Sequence, residues 1–122
     1  MAHAINWFEI PAKNFERAVK FYSTILGVSM EKSNMLGYDM GFFPSEQGEV
    51  AGAVVTADGY VPNDKGTVVY LNGGNDLNTV LSKVEKAGGK VAVPKTKITD
   101  EYGYFAIFID TEGNKVGLHS SK

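Results

Sequence analysis

The chain has 122 residues, 43% of them hydrophobic and 21% charged, with a formal net charge of −2 and no cysteine. That length and balance suit one globular domain with a real core and exclude a disordered or collagen-like chain. The charge argues against a nucleic-acid face or a polybasic membrane anchor, and the absent cysteines exclude disulfides, thiolate metal sites and cysteine nucleophiles.

Taken in chain order, Ile5 to Ile10 reads as a strand, with Phe8 and Ile10 on one face and Ile5, Trp7 and Glu9 on the other. Pro11 is expected to stop it. Asn14 is a good N-cap for a helix whose apolar stripe is Phe15, Ala18, Val19, Tyr22 and Leu26, with Gly27 placed to end it. Val28 to Lys32, Gly37 to Phe43 and Glu49 to Thr56 are three short strands, with Ser33-Asn34 and Pro44 to Gly48 as the turns between them. Residues 58–66 form a connector between modules 1–57 and 67–122.

The second half repeats the first. Thr67 to Leu71 is a strand, Asp76 caps a helix with the stripe Leu77, Val80, Leu81 and Val84, and Gly88-Gly89 stops it. Lys90 to Ile98, Tyr104 to Ile109 and Lys115 to His119 are three more strands, and Asp110 to Asn114 is a tight turn. Phe15 matches Leu77, Val19 matches Leu81, Tyr22 matches Val84 and Gly27 matches Gly89, a constant separation of 62 residues. The fold class is therefore α+β: two βαβββ modules, eight strands forming a cleft, two helices outside.

Paired βαβββ modules resemble the vicinal oxygen chelate superfamily of glyoxalase I, bleomycin-resistance proteins and extradiol dioxygenases. The residues that carry the resemblance are Trp7-Phe8-Glu9-Ile10-Pro11, Asn14 to Tyr22, Leu26-Gly27, Val69-Tyr70-Leu71, Ala87 to Val91 and Asp110 to Leu118. It covers essentially the whole chain and looks closest to the uncharacterised glyoxalase-like branch. The resemblance implies a divalent metal held by His, Gln and Glu side chains from both modules, and a substrate that chelates it through two oxygens. It also implies pairing as a homodimer.

The metal positions that the resemblance implies are occupied by other residues. Counting back seven from the helix cap lands on Trp7 in the first module and on Val69, or Val68, in the second. The last-strand positions fall on Gly117 and Val55. None of these side chains offers a lone pair to a metal, so no metal and no cofactor are expected, and Trp7 is expected to fill the space instead. His3, Glu9 and His119 have the right chemistry for a substitute set, although both histidines lie near fraying ends.

The remaining candidates are aromatic. Trp7, Tyr38, Met40, Tyr60 and Tyr102 are expected in the cleft, with Gly103 and Tyr104 as a cover and with Phe8 and Tyr70 facing the helices. Glu9, beside an indole, is a candidate general base or a hydrogen-bonded carboxylate, and His119 is a further polar candidate. Neither glycine pair is a phosphate loop, and no serine sits on a nucleophile elbow. The expectation is a metal-independent binding protein of the bleomycin-resistance type that takes an aromatic or apolar small molecule. The alternative is a glyoxalase-like lyase, isomerase or dioxygenase using a metal or Glu9. No apolar run reaches the ~20 residues of a membrane span, and Met1-Ala2-His3-Ala4 lacks signal-peptide order. A cytoplasmic protein bound to neither membrane nor nucleic acid is expected.

Overall fold

In the computed structural model, which describes residues 3–122, the repeat read from the sequence is a repeat of structure. The first module runs β1 (Trp7–Pro11), α1 (Phe15–Leu26), β2 (Glu31–Met35), β3 (Tyr38–Phe42) and β4 (Ala51–Thr56). The second runs β5 (Tyr70–Asn72), α2 (Asn78–Leu81), β6 (Lys90–Thr99), β7 (Gly103–Ile109) and β8 (Lys115–Ser120). Each makes its own four-stranded sheet, ordered β1-β4-β3-β2 (sheet A) and β5-β8-β7-β6 (sheet B). In both sheets the first and last strands of the module pair in parallel and the other neighbours pair antiparallel. The protein is thus an α+β fold of eight strands and two helices.

Helix α1 forms where its signals predict. The Asn14 side chain accepts the Arg17 N–H at 3.1 Å, and Gly27 ends the helix in the left-handed region at φ 65°. Its buried residues are Ala18, Val19, Phe21, Tyr22 and Ile25, a wider face than the expected stripe. The reason is that α1 packs on two surfaces. Val19 and Phe15 approach Gly41 of sheet A, while the Phe21 and Tyr22 rings lie 5.8 and 6.3 Å from the Phe108 ring of sheet B. One apolar core joins both modules, from Ile10 and Val54 to Leu71, Phe108 and Leu118. Each large side chain buried there contributes about 1.5–3 kcal/mol. The opposite face of each sheet is left open.

Several boundaries differ from expectation, each for a physical reason. Strand β1 continues through Pro11. The Ala12 N–H reaches the Val55 carbonyl at 2.8 Å, so the nitrogen of Pro11 points to the free edge, where no donor is needed. Strand β2 is displaced to Glu31–Met35, and Ser33-Asn34 is not a turn. The Asn34 amide donates across the hairpin to Asp39 at 2.5 Å, and the turn falls at Leu36-Gly37. Strand β5 is only three residues long. Helix α2 is regular over Asn78–Leu81 alone and then tightens. Lys83 and Val84 donate to Val80 and Leu81, three residues back, as in 3₁₀ turns. Its expected stripe is nonetheless buried in full, with Leu77 and Val84 fully enclosed.

The Asp110–Asn114 turn is a clasp between modules. Asp110 is buried and accepts from the Tyr22 hydroxyl at 2.6 Å, the Asn114 amide at 3.0 Å, and the backbone N–H groups of Glu112 and Asn114 at 2.8 and 2.9 Å. Asn114 donates in turn to the Pro11 carbonyl at 2.7 Å. Glu112 reaches the start of α1, where one oxygen accepts the Lys13 and Asn14 N–H groups at 2.8 and 2.7 Å and the other the Arg17 guanidinium at 2.7 Å. Burial, the Asp110 charge and the hydrogen bond to it hold the Tyr22 phenol well above its ordinary pKa. For Glu112, burial pushes the carboxyl up. The Arg17 hydrogen bond, the Asn14 and Lys13 amides and the Thr111 hydroxyl outweigh it, and the pKa falls below its ordinary 4.5. A depressed carboxyl stabilises the fold above its unfolded-state value and loses that stabilisation as pH falls through its folded value. The midpoint of urea unfolding is therefore expected to decline below about pH 4.5, and to decline less in Glu112→Gln. Equal slopes for the two proteins would contradict this.

Candidate functional site

The open face of sheet A gathers the residues expected to line a binding site. Pairing sets Trp7 opposite Ala51, Glu9 opposite Ala53, Met40 opposite Val55 and Phe42 opposite Ala53. Alternation then brings Trp7, Glu9, Met40 and Phe42 to one surface, floored by the fully buried Ala53 and Val55. Trp7 is 44% exposed, and its ring meets Phe42 edge-on at 6.2 Å. Tyr60 comes over from the connector. Its hydroxyl donates to one Glu9 oxygen at 2.7 Å, and the Trp7 N–H donates to the other at 3.2 Å. Tyr38 completes the group, edge-on to Tyr60 at 5.8 Å. The hydrogen bond to Glu9 is the main cause, ahead of burial and charge, that holds the Tyr60 phenol above its ordinary value. It stays a neutral donor, and Glu9 is a carboxylate gripped at both oxygens among aromatic rings.

Sheet B has its own open face. Tyr70, Ile98, Phe105 and His119 line a depression of about 440 Å³. The Tyr70 ring lies over Gly117, where a Cβ atom would collide with it. Tyr70 therefore does not face the helices as expected; it belongs to the open side, while Phe8 packs on the helix side against Phe43. His119 Nε2 donates to the Tyr102 carbonyl at 2.6 Å, because a carbonyl can only accept. Tyr102 sits in the β6–β7 turn with its ring exposed. Tyr104 is no cover for this face. It shares the helix side with Ala106 and Phe108 and packs against the core, with the Lys95 ammonium 4.6 Å from its ring centroid.

The side chains present do not fit a chelated divalent ion. The indole of Trp7 has no lone pair to give and spends its N–H on Glu9. Val55 is floor, Gly117 is roofed by Tyr70, and Val68 and Val69 line an apolar groove of about 730 Å³ between the modules. Glu9 and His119 lie on different sheets, and His3 lines a separate depression with Asn6 and Glu49. Among the described residues no three His, Asp or Glu side chains converge as metal ligands. Among the same residues no helix is long and apolar enough to cross a membrane.

Ile98 and Phe105 also line the open face of sheet B and were not among the expected site residues. Phe42, an aromatic of a predicted strand, joins the open face of sheet A by strand alternation, two residues from Met40 and four from Tyr38.

Comparison with known proteins bears on the family and the fold. Residues 4–118 match the family model of the Glyoxalase/Bleomycin resistance protein/Dioxygenase superfamily. A glyoxylase-like domain-containing protein of Didymella fabae is 31% identical over 120 residues, covering 90% of this chain and 88% of that protein. Among solved structures, an antibiotic binding protein from a Streptomyces species aligns with a TM-score of 0.67 at 19% identity, covering 100% of this chain and 99% of the other. A maize glyoxalase I aligns at 0.67 and 20% identity over 95% of this chain, which spans only 45% of that protein. At such identities the structural likenesses speak to the fold. Taken with the duplicated βαβββ units, the sequence match leads to one conclusion: this chain belongs to the Glyoxalase/Bleomycin resistance protein/Dioxygenase superfamily.

Proposed function

We propose that the protein is a metal-independent binding protein for a flat aromatic small molecule, held on the open face of sheet A. The observation that carries this reading is the group Trp7, Phe42, Tyr38 and Tyr60 around a single carboxylate, Glu9. Rings of this kind stack on or meet edge-on a planar ligand, and the carboxylate accepts an N–H from it. Phe42 and Tyr38 are four residues apart along one strand, roughly 13 Å, which suits a fused polycyclic ligand. With both oxygens engaged, Glu9 orients a ligand better than it abstracts a proton. Each chain leaves two aromatic faces open, with Trp7 and Tyr38 exposed on sheet A and Tyr70 and Ile98 on sheet B. Two copies pairing so that the sheet B face of one covers the sheet A face of the other would enclose two equal sites.

9-Aminoacridine, flat and carrying N–H donors, is the probe of choice. Trp7 is the only tryptophan, so binding is expected to quench its emission saturably and to raise the melting temperature. Light scattering is expected to report a dimer at tens of micromolar. No quenching and no thermal shift with this or related acridines would overturn the binding reading. Metal-dependent formation of lactoylglutathione from methylglyoxal and glutathione, with nickel, zinc or manganese added, would replace it with an enzymatic one.

A further inference from the structure

The β2–β3 hairpin overhangs its sheet. Strand β2 is an edge, and β3 pairs with β4 only from Asp39 onward. The backbone of residues 35–38 is therefore paired within the hairpin alone, with Met35 opposite Tyr38. The turn between them is Leu36-Gly37, both at positive φ, 55° and 83°. A two-residue turn of this hand calls for Asn, Asp or Gly at its first position. Leu36 is the one non-glycine residue at positive φ among the described residues, and its Cβ is crowded there. Nothing in the chain compensates for the strain by burial, since Leu36 is 94% exposed and Met35 59%. The tip is continuous with the aromatic face through Tyr38, whose ring meets Tyr60.

A strained leucine and an exposed methionine at the free end of an overhanging hairpin are a poor choice for folding alone. We propose that Met35 and Leu36 form a flap that closes over the outer end of the aromatic ligand, so that both side chains become buried only in the complex. This rests on the binding reading above. It deepens that reading by assigning Leu36 the retention of bound ligand: Trp7 and Phe42 hold one end, and the flap slows escape at the other.

The test is Leu36→Asn, which suits the left-handed turn and removes the apolar cover. The variant is expected to melt a few degrees higher than the wild type. Its affinity for 9-aminoacridine is expected to be about tenfold weaker, through faster dissociation in stopped-flow release. A variant that is more stable yet binds and releases the dye like the wild type overturns the flap and leaves the binding reading standing. Dissociation of the dimer with affinity per site unchanged also overturns it, by giving the tip to a second copy. A wild-type chain that binds no acridine overturns both.

Discussion

Asp110→Ala is expected to be among the most damaging polar substitutions in the chain. The Asp110 carboxylate accepts four hydrogen bonds, two of them from side chains, the buried Tyr22 hydroxyl and the Asn114 amide. Removing it strands both side-chain donors without water to replace the partner, and a loss of about 3 kcal/mol follows. For a domain of this size that corresponds to a fall in melting temperature of roughly 10 °C or more. Tyr22→Phe in the same background removes one stranded donor, so the double variant is expected to be more stable than the sum of the two single losses. Strict additivity in urea unfolding would mean that the 2.6 Å bond does not couple the two modules energetically.

Trp7→Ala has the largest expected effect on binding and little effect on folding, because the side chain is half exposed and lies outside the shared core. A tryptophan that anchors one end of a ligand on a binding face is worth about 2 kcal/mol or more, so the Kd for 9-aminoacridine should rise about 30-fold or further. The substitution also removes the fluorophore, so the measurement is calorimetric. Trp7→Phe keeps a ring edge for Phe42 and should lose only a few-fold. A Kd for Trp7→Ala within threefold of the wild type would place the ligand elsewhere.

The division between what the sequence reveals and what it hides follows the range of the forces involved. Helix α1 is readable because its cap, stripe and terminating glycine are all local. The stripe of α2 is equally readable in Leu77, Val80, Leu81 and Val84, yet its tightening after Leu81 has no residue signature. The β2–β3 turn misleads for the opposite reason. Ser33-Asn34 carries the turn signal, but Asn34 spends its amide on Asp39, and the real turn begins with a leucine. At the candidate site, Trp7, Glu9, Tyr38, Met40 and Tyr60 come to one surface, since period-two alternation fixes the sheet residues among them. Tyr70 changes side because the buried strand residue is Leu71, 61 residues after Ile10 where the helices repeat at 62, and a single-residue shift reverses a side chain. Tyr104 is set on the helix side by alternation with Ala106 and Phe108. Phe21 escapes the stripe because what it packs against, Phe108 and Gly89, belongs to the other module, remote in sequence.

The clasp also bears on how the chain folds. Glu112 meets Lys13 and Asn14 across separations of 99 and 98 residues, and Asp110 meets Tyr22 across 88. Contacts that span nearly the whole chain close only after most of its entropy has been lost. The Lys13 and Asn14 N–H groups, just ahead of α1, therefore meet their carboxylate partner only once the last hairpin of the chain has formed. During synthesis the N-terminal module leaves the ribosome with its helix start unclasped and with Phe21 and Tyr22 not yet covered by Phe108. The two halves, though copies of one design, commit to the native state together.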